Sequence, residues 1–283
     1  MMSRPSDPVA FVKMNGAGND FVVVNALETP FAPTADQARA IADRQTGKGC
    51  DQLIAIEPSA TGDAFMRVWN ADGGQVETCG NALRCVGWML MESTGKDQVV
   101  IDTLGGPTTA WRAAGGRVTV DMGAPRLDWE QIPLDEAMDT RGIELQVGPI
   151  DAPVLHTPGA VSMGNPHVVF FMDHAPNDAF VRGMGSLIEH HPRFPEGVNV
   201  GFAHVVAPDH IRLRVWERGA GLTKACGTGA CAALVATARR GLTGRAATVE
   251  VDGGELFISW DDATGHVLMT GTVEVERTGV LAV

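Results

Sequence analysis

One short pattern occurs twice, half a chain apart, and this repetition limits the possible folds of the 283 residues more than any other feature. Aligning Arg67–Gly80 with Arg214–Gly227 pairs Arg67 with Arg214, Val68 with Val215, Trp69 with Trp216, Gly74 with Gly221, Cys79 with Cys226 and Gly80 with Gly227. Six of 14 positions agree, where average composition gives roughly one, and the scarce residues Trp and Cys are among the matches. The register extends upstream. Gln52 falls opposite Asn199, and with a one-residue slip Asn19-Asp20-Phe21-Val22-Val23 opposes Asn165-Pro166-His167-Val168-Val169. Self-similarity of this kind marks a folding unit used twice.

Each copy reads as mostly strand with one buried helix. Asp20–Leu27, Gln52–Glu57, Ala64–Trp69, Gln98–Asp102 and Arg117–Met122 have strand character in the first half. Pro166–Met172, Val198–Val206, Ile211–Trp216, Thr248–Val251 and Glu255–Trp260 repeat it in the second. Cys79–Glu92 and Cys226–Arg240 read as helices that are apolar nearly all round. A helix without a polar face is buried on every side, so each is expected inside a sheet that wraps it. The expected class is α+β. The Pro- and Asp-rich stretch Ala124–Asp139 is the best linker candidate.

Composition narrows the function. Asp and Glu outnumber Lys and Arg by 34 to 22, giving a net charge of −12, which disfavours general binding to nucleic acid. No apolar run reaches the ~18 residues of a membrane span, and the N-terminus has no apolar signal core, so a cytoplasmic setting is expected. Five cysteines, an odd number, suit thiols better than a disulfide framework. Cys50, Cys85 and Cys231 read as small buried hydrophobes, and the spacings 79/85 and 226/231 are not those of structural zinc. Gly16-Ala17-Gly18 has Phe21 where a dinucleotide fingerprint needs Gly, and neither Gly47-Lys48 nor Gly95-Lys96 is followed by Ser or Thr. None of the four lysines marks a Schiff-base site. Neither a cofactor nor a metal is expected.

The duplicated Cys-Gly carries the chemistry. A cysteine at a helix N-terminus sits among unpaired N–H groups and the positive end of the dipole, which favour its thiolate. The same amides suit a carboxylate, and Gly80, Gly227 and Gly229 let a ligand approach the backbone. Two such starts facing one ligand would put a sulfur on either side of it. Inverting a stereocentre needs this: one group takes a proton from one face, and another delivers a proton to the opposite face.

At these residues the sequence resembles the diaminopimelate epimerases. The matching segments are Lys13–Phe21, Gly49–Leu53, Asn70–Cys85, Val161–His167, Gly197–Gly201 and Glu217–Cys231, in family order through most of the chain. Asn15 stands where the family usually has His, Ala82 where Gly is common, and Leu222 where an acidic residue is common. The resemblance implies two similar domains, each a curved mixed or antiparallel sheet wrapped around a central helix, with the active site in the cleft between them. Residues 1–124 plus 271–283 would form the half with Cys79, after C-terminal strand exchange, and residues 125–270 the half with Cys226. It implies cofactor-independent interconversion of LL- and meso-2,6-diaminopimelate, in lysine and peptidoglycan-precursor synthesis. Cys79 and Cys226 match the proton donor and acceptor, and Gly80-Asn81 and Gly227-Thr228 match the cradle of the reacting carboxylate. Asn19, Gln52, Asn70, Asn165 and Asn199 match substrate-binding amides, Glu217-Arg218 match an acid–guanidinium pair, and His167 and Glu217 match residues that tune the thiols. The expected partner is a small molecule, with neither nucleic acid nor membrane, and a homodimer stays open as the assembly. Two alternatives use the same cysteines: a proline racemase or hydroxyproline epimerase of this fold, and a thiol–disulfide redox protein.

Overall fold

A computed structural model describes residues 8–281. The chain divides into two units, one made of residues up to Val120 together with those from Gly271 onward, the other of Asp121–Thr270. In the first unit β1 (Val9–Gly16) and β2 (Asn19–Asn25) are antiparallel, and β3 (Gln52–Glu57) lies parallel to β2. The next strand, β4 (Ala64–Asn70), is antiparallel to β3 and takes the short β5 (Gln75–Val76) along one stretch and β6 (Gln98–Thr103), in parallel, along another. Then β7 (Gly106–Arg112) and β8 (Val118–Asp121) follow antiparallel. Helix α1 (Ala35–Ala42) joins β2 to β3, and α2 (Gly80–Thr94) joins β5 to β6.

The second unit opens with a two-stranded ribbon, β9 (Gln146–Val147) and β10 (Leu155–His156). Its sheet contains β11 (Gly159–Ser162), β12 (Pro166–Met172), β13 (Asn199–Ala207), β14 (His210–Glu217), β15 (Gly221–Thr223), β16 (Ala246–Val251), β17 (Gly254–Trp260) and β18 (Val267–Gly271). From β11 to β18 the succession of parallel and antiparallel pairs repeats that of β1 to β8. Helices α3 (Asp178–Glu189) and α4 (Gly227–Arg239) occupy the places of α1 and α2. The final strand, β19 (Glu274–Leu281), pairs antiparallel with β1, so the chain ends in the unit where it began.

The all-round apolar character of the two Cys-Gly helices is explained by their surroundings. Ten of the 13 residues of α4 and ten of the 15 of α2 are buried. Helix α2 packs on β1, β2, β6 and β7, and α4 on β11–β14, β16 and β17, so each is wrapped by the sheet of its own unit. Gly95, left-handed at φ 72°, stops α2 by returning its N–H to the Met91 carbonyl. Helices α1 and α3 bury one stripe each and signal themselves by caps instead: Thr34 and Gln37 form a reciprocal box, and Asn177 accepts from the Phe180 N–H.

The stretch expected as a linker is packed. Arg126 bridges to Ser162, and Ile132 and Leu134 lie in the core of the second unit with Val168, Phe170 and Phe202. Over Ala124–Asp139 the only helical element is a 3-10 turn at Trp129–Gln131, yet Trp129 and Met138 pack against the core in which Ile132 and Leu134 are buried. Among the described residues no helix is long and apolar enough to cross a membrane.

Candidate active site

Both cysteines occupy the same structural position. Cys79 is the residue before α2 and Cys226 the residue before α4, each extended, at φ −145°, ψ 114° and φ −132°, ψ 109°. Each carbonyl receives the N–H four residues on, at 2.9 Å, from Leu83 and from Ala230. The side chains differ. Cys226 is 5% exposed and its Sγ accepts the Gly229 N–H at 3.3 Å, while Cys79 is half-buried and its side chain does not cap α2. Gly229 leaves the sulfur room, because a Cβ there would crowd the Cys226 Sγ at 3.2 Å.

The second unit surrounds its sulfur with ionisable and hydroxyl groups. His167, at the start of β12, is buried; its Nε2 lies 3.0 Å from both Asn165 Oδ1 and Thr228 Oγ1. Burial, aided by the Arg218 charge, pushes the His167 pKa down to about 3, so the ring is neutral at physiological pH. Asn165 Nδ2 donates to Thr228 Oγ1 at 3.3 Å. Thr228 Oγ1 also lies 3.5 Å from the Cys226 Sγ, within reach to donate its O–H to a thiolate there. Glu217, at the end of β14, takes the Thr223 hydroxyl at 2.6 Å and also hydrogen-bonds the Cys226 thiol. Burial and the Glu217 carboxylate raise the Cys226 pKa well above its ordinary value, and the Thr228 and Gly229 donors only partly offset them. Cys226 therefore holds its proton in this structure.

The first unit offers amides. Gln52 Nε2 donates to Asn70 Oδ1 at 2.9 Å across the paired strand starts and ends. Asn81 Nδ2 donates to Asn19 Oδ1 at 2.5 Å, and Asn81 Oδ1 takes the guanidinium of Arg84 at 2.8 Å. Behind Asn19 stands a charged cluster in which Asp20 pairs with Lys13 and Arg44, and Asp51 with Arg44. Burial works against the charge on Asp20, but the hydrogen bonds from Arg44 and Lys13 prevail and hold its carboxyl below the usual range.

The expected site residues thus gather as two sets. Asn19, Gln52, Asn70, Gly80 and Asn81 belong with Cys79 in the first unit, and Asn165, His167, Glu217, Gly227 and Thr228 with Cys226 in the second. Asn199 is turned to its own backbone, with Nδ2 on the Pro166 carbonyl and Oδ1 on the Arg218 N–H. The Arg218 side chain is exposed and places Nη1 on the Glu196 carbonyl at 2.8 Å. Arg84, Asp51 and Thr223 were not legible as site residues. The one usable signal was Arg84, a lone cation within an otherwise apolar helical run. Cys50 and Cys85 lie in the core, and burial raises their thiols to about 11 and about 12. Among the described residues no group of three or more His, Cys, Asp or Glu could hold a metal ion.

Comparison with known proteins gives the family of the chain. The family model described as diaminopimelate epimerase matches residues 11–127 and 159–276, the two copies of the repeat. A diaminopimelate epimerase of Caulobacter sp. strain K31 is 61% identical over 279 residues, covering 96% of each chain. That of Phenylobacterium zucineum is 60% identical, covering 99% of this chain and 98% of its own. Among solved structures, a hydroxyproline epimerase from Agrobacterium vitis superposes with a TM-score of 0.69 over 99% of this chain and 94% of its own, at 16% identity. That last likeness concerns the fold alone. The duplicated sheets, the twin cysteine-headed helices and the full-length relatives together assign the chain: it belongs to the diaminopimelate epimerase family, and it is an isomerase.

Proposed function

We propose that the protein interconverts LL- and meso-2,6-diaminopimelate without a cofactor, using Cys79 and Cys226 as the two proton-carrying groups. The observation that carries this reading is the pair of cysteines at equivalent helix starts in duplicated sheets. In one direction a Cys79 thiolate removes the α-proton, leaving a carbanion next to the carboxylate. The Cys226 thiol then gives its proton to the opposite face, so thiol and thiolate exchange roles and no net proton is lost. The reverse direction starts from the exchanged pair. The Thr228 hydroxyl and the Gly229 N–H stabilise the thiolate that forms on Cys226. Glu217 sets when that proton leaves, and the buried neutral His167 acts on it only through Thr228.

Substrate recognition follows from charge. Diaminopimelate carries two ammonium and two carboxylate groups, and amide side chains offer both donors and acceptors to such a molecule. The amides of Gly80-Asn81 and Gly227-Thr228 cradle the reacting carboxylate at positive helix ends. Arg218 supplies a planar fork for the distal carboxylate. This reading puts the enzyme in lysine and peptidoglycan-precursor synthesis. The test is incubation of purified protein with LL-diaminopimelate alone, followed by chiral separation. Accumulation of the meso form supports the reading. Turnover of trans-4-hydroxy-L-proline in its place would favour the imino-acid alternative, and turnover of neither a redox role.

A further inference from the structure

The charged residues behind the first helix start have a use that salt bridging does not explain. Arg84 is fully buried in α2 beside Leu83 and Cys85. A guanidinium there is heavily desolvated, and an aliphatic side chain would fill the space more easily. Its Nη1 donates to Asn81 Oδ1 at 2.8 Å. Gly16 of β1 closes over it, since a Cβ on that residue would lie 3.3 Å from Arg84 Nη2 and 3.1 Å from the Asn81 carbonyl oxygen. At the other end, Asp51 Oδ2 accepts Asn19 Nδ2 at 3.3 Å and the Asp20 N–H at 3.1 Å. Asp51 is itself held by Arg44 at 2.6 Å.

An amide side chain can turn over and exchange donor for acceptor, but a guanidinium only donates and a carboxylate only accepts. A relay Arg84–Asn81–Asn19–Asp51 therefore has one consistent polarity. Arg84 obliges Asn81 to present Oδ1 to it, so Asn81 Nδ2 donates to Asn19 Oδ1, which leaves Asn19 Nδ2 to Asp51. Both carbonyl oxygens are committed to protein donors, so each amide has only an N–H left to offer. The repeat lacks this device: Cys231 stands where Arg84 stands, Val198 where Asp51 stands, and Pro166 where Asp20 stands.

We propose that Arg84 and Asp51 are positioning residues that fix the amide polarity of Asn81 and Asn19, so that the first helix start selects a carboxylate over an isosteric carboxamide. The inference rests on the proposed function, in which that start receives the carboxylate beside the reacting carbon. Calorimetric titration tests it without requiring turnover, using diaminopimelate and its carboxamide at the reacting end. Wild-type protein binds the carboxylate form more tightly. Arg84→Gln, which replaces a donor-only end by a reversible amide, narrows that ratio by about tenfold, the scale of one charged hydrogen bond. Arg84→Lys, still donor-only, keeps the wild-type ratio. Asp51→Asn narrows it in the same sense, and because the Asp51 side chain is 39% exposed, this variant decides the matter if Arg84→Gln does not fold. A merely structural role would weaken both ligands equally. Ratios unchanged in both variants overturn the polarity lock alone, and wild-type protein that binds neither ligand overturns the proposed function with it.

Discussion

The starts of α2 and α4 descend from one pattern and share backbone geometry, yet their surroundings differ in kind. Where the second unit has His167, Glu217 and Thr228, the first has Phe21, Asn70 and Asn81. Cys226 is buried beside a carboxylate and keeps its proton, while the cysteine of the first unit shares its sheet with neutral amides whose orientation is set by charges further back. Duplication supplied two equivalent sulfur positions, and divergence around them buried one beside a carboxylate and left the other half-buried in a unit whose polar counterparts are amides. A symmetric pair would have no preference for which thiol rests protonated. The asymmetry gives the proposed proton exchange a defined starting state.

The comparison is sharpest at the sulfurs themselves. Cys79→Ala and Cys226→Ala should each lower the epimerisation rate by about 10²–10⁴, the share of a general acid–base group. Steady-state rates check this, and a variant that keeps more than a tenth of wild-type turnover breaks the pairing of roles. Next in size is Glu217→Gln, expected to lower kcat by about 10²-fold, the scale of a shift of about two pKa units in the proton carrier it tunes. It removes the carboxylate that raises Cys226, so in a Cys79→Ala background the thiol should ionise at lower pH, as read by thiolate absorbance. An unmoved titration would mean that burial alone holds the proton.

Arg218→Lys keeps the charge but loses the fork, and kcat/KM for diaminopimelate should fall about tenfold, with most of the loss in KM. An unchanged value places Arg218 outside substrate contact. The smallest effect concerns stability. His167 titrates near 3 in the folded protein against an ordinary 6.5, so between those values the unfolded chain binds a proton that the folded chain refuses. Stability must then fall as pH drops through that window. His167→Phe installs the residue of the other repeat and should flatten the loss of Tm between pH 6.5 and 4.5, a range above that in which Asp20 gives up its charge. An equally steep fall would assign the slope to other groups.

Much of this was legible because the repeat, the strand-rich pattern and the two unpolar helices all constrain the same architecture. Gln52–Glu57 and Pro166–Met172 are strands with the expected bounds, since each is an apolar run ended by turn residues or polar groups. Helices α1 and α3 were harder to see. Eight residues give α1 little periodicity, and Gly183 and Gly185 dilute the stripe of α3, where Gly185 is needed because a Cβ would fall 2.4 Å from the Trp216 ring. Site residues next to the cysteines in sequence could be named from the pattern. Arg84 and Asp51 act through other side chains, and which amide a buried cation touches depends on packing that spacing along the chain does not encode.

The central claim, that two different groups serve the two faces of one carbon, is tested most directly by isotope exchange. Wild-type enzyme acting on LL-diaminopimelate in deuterium oxide should form meso product carrying one deuterium at the inverted carbon. At early times the recovered substrate should remain almost unlabelled, because the group that removes its proton is not the group that delivers the deuteron. Deuterium entering recovered substrate as fast as product would show a single group working both faces and would contradict the account.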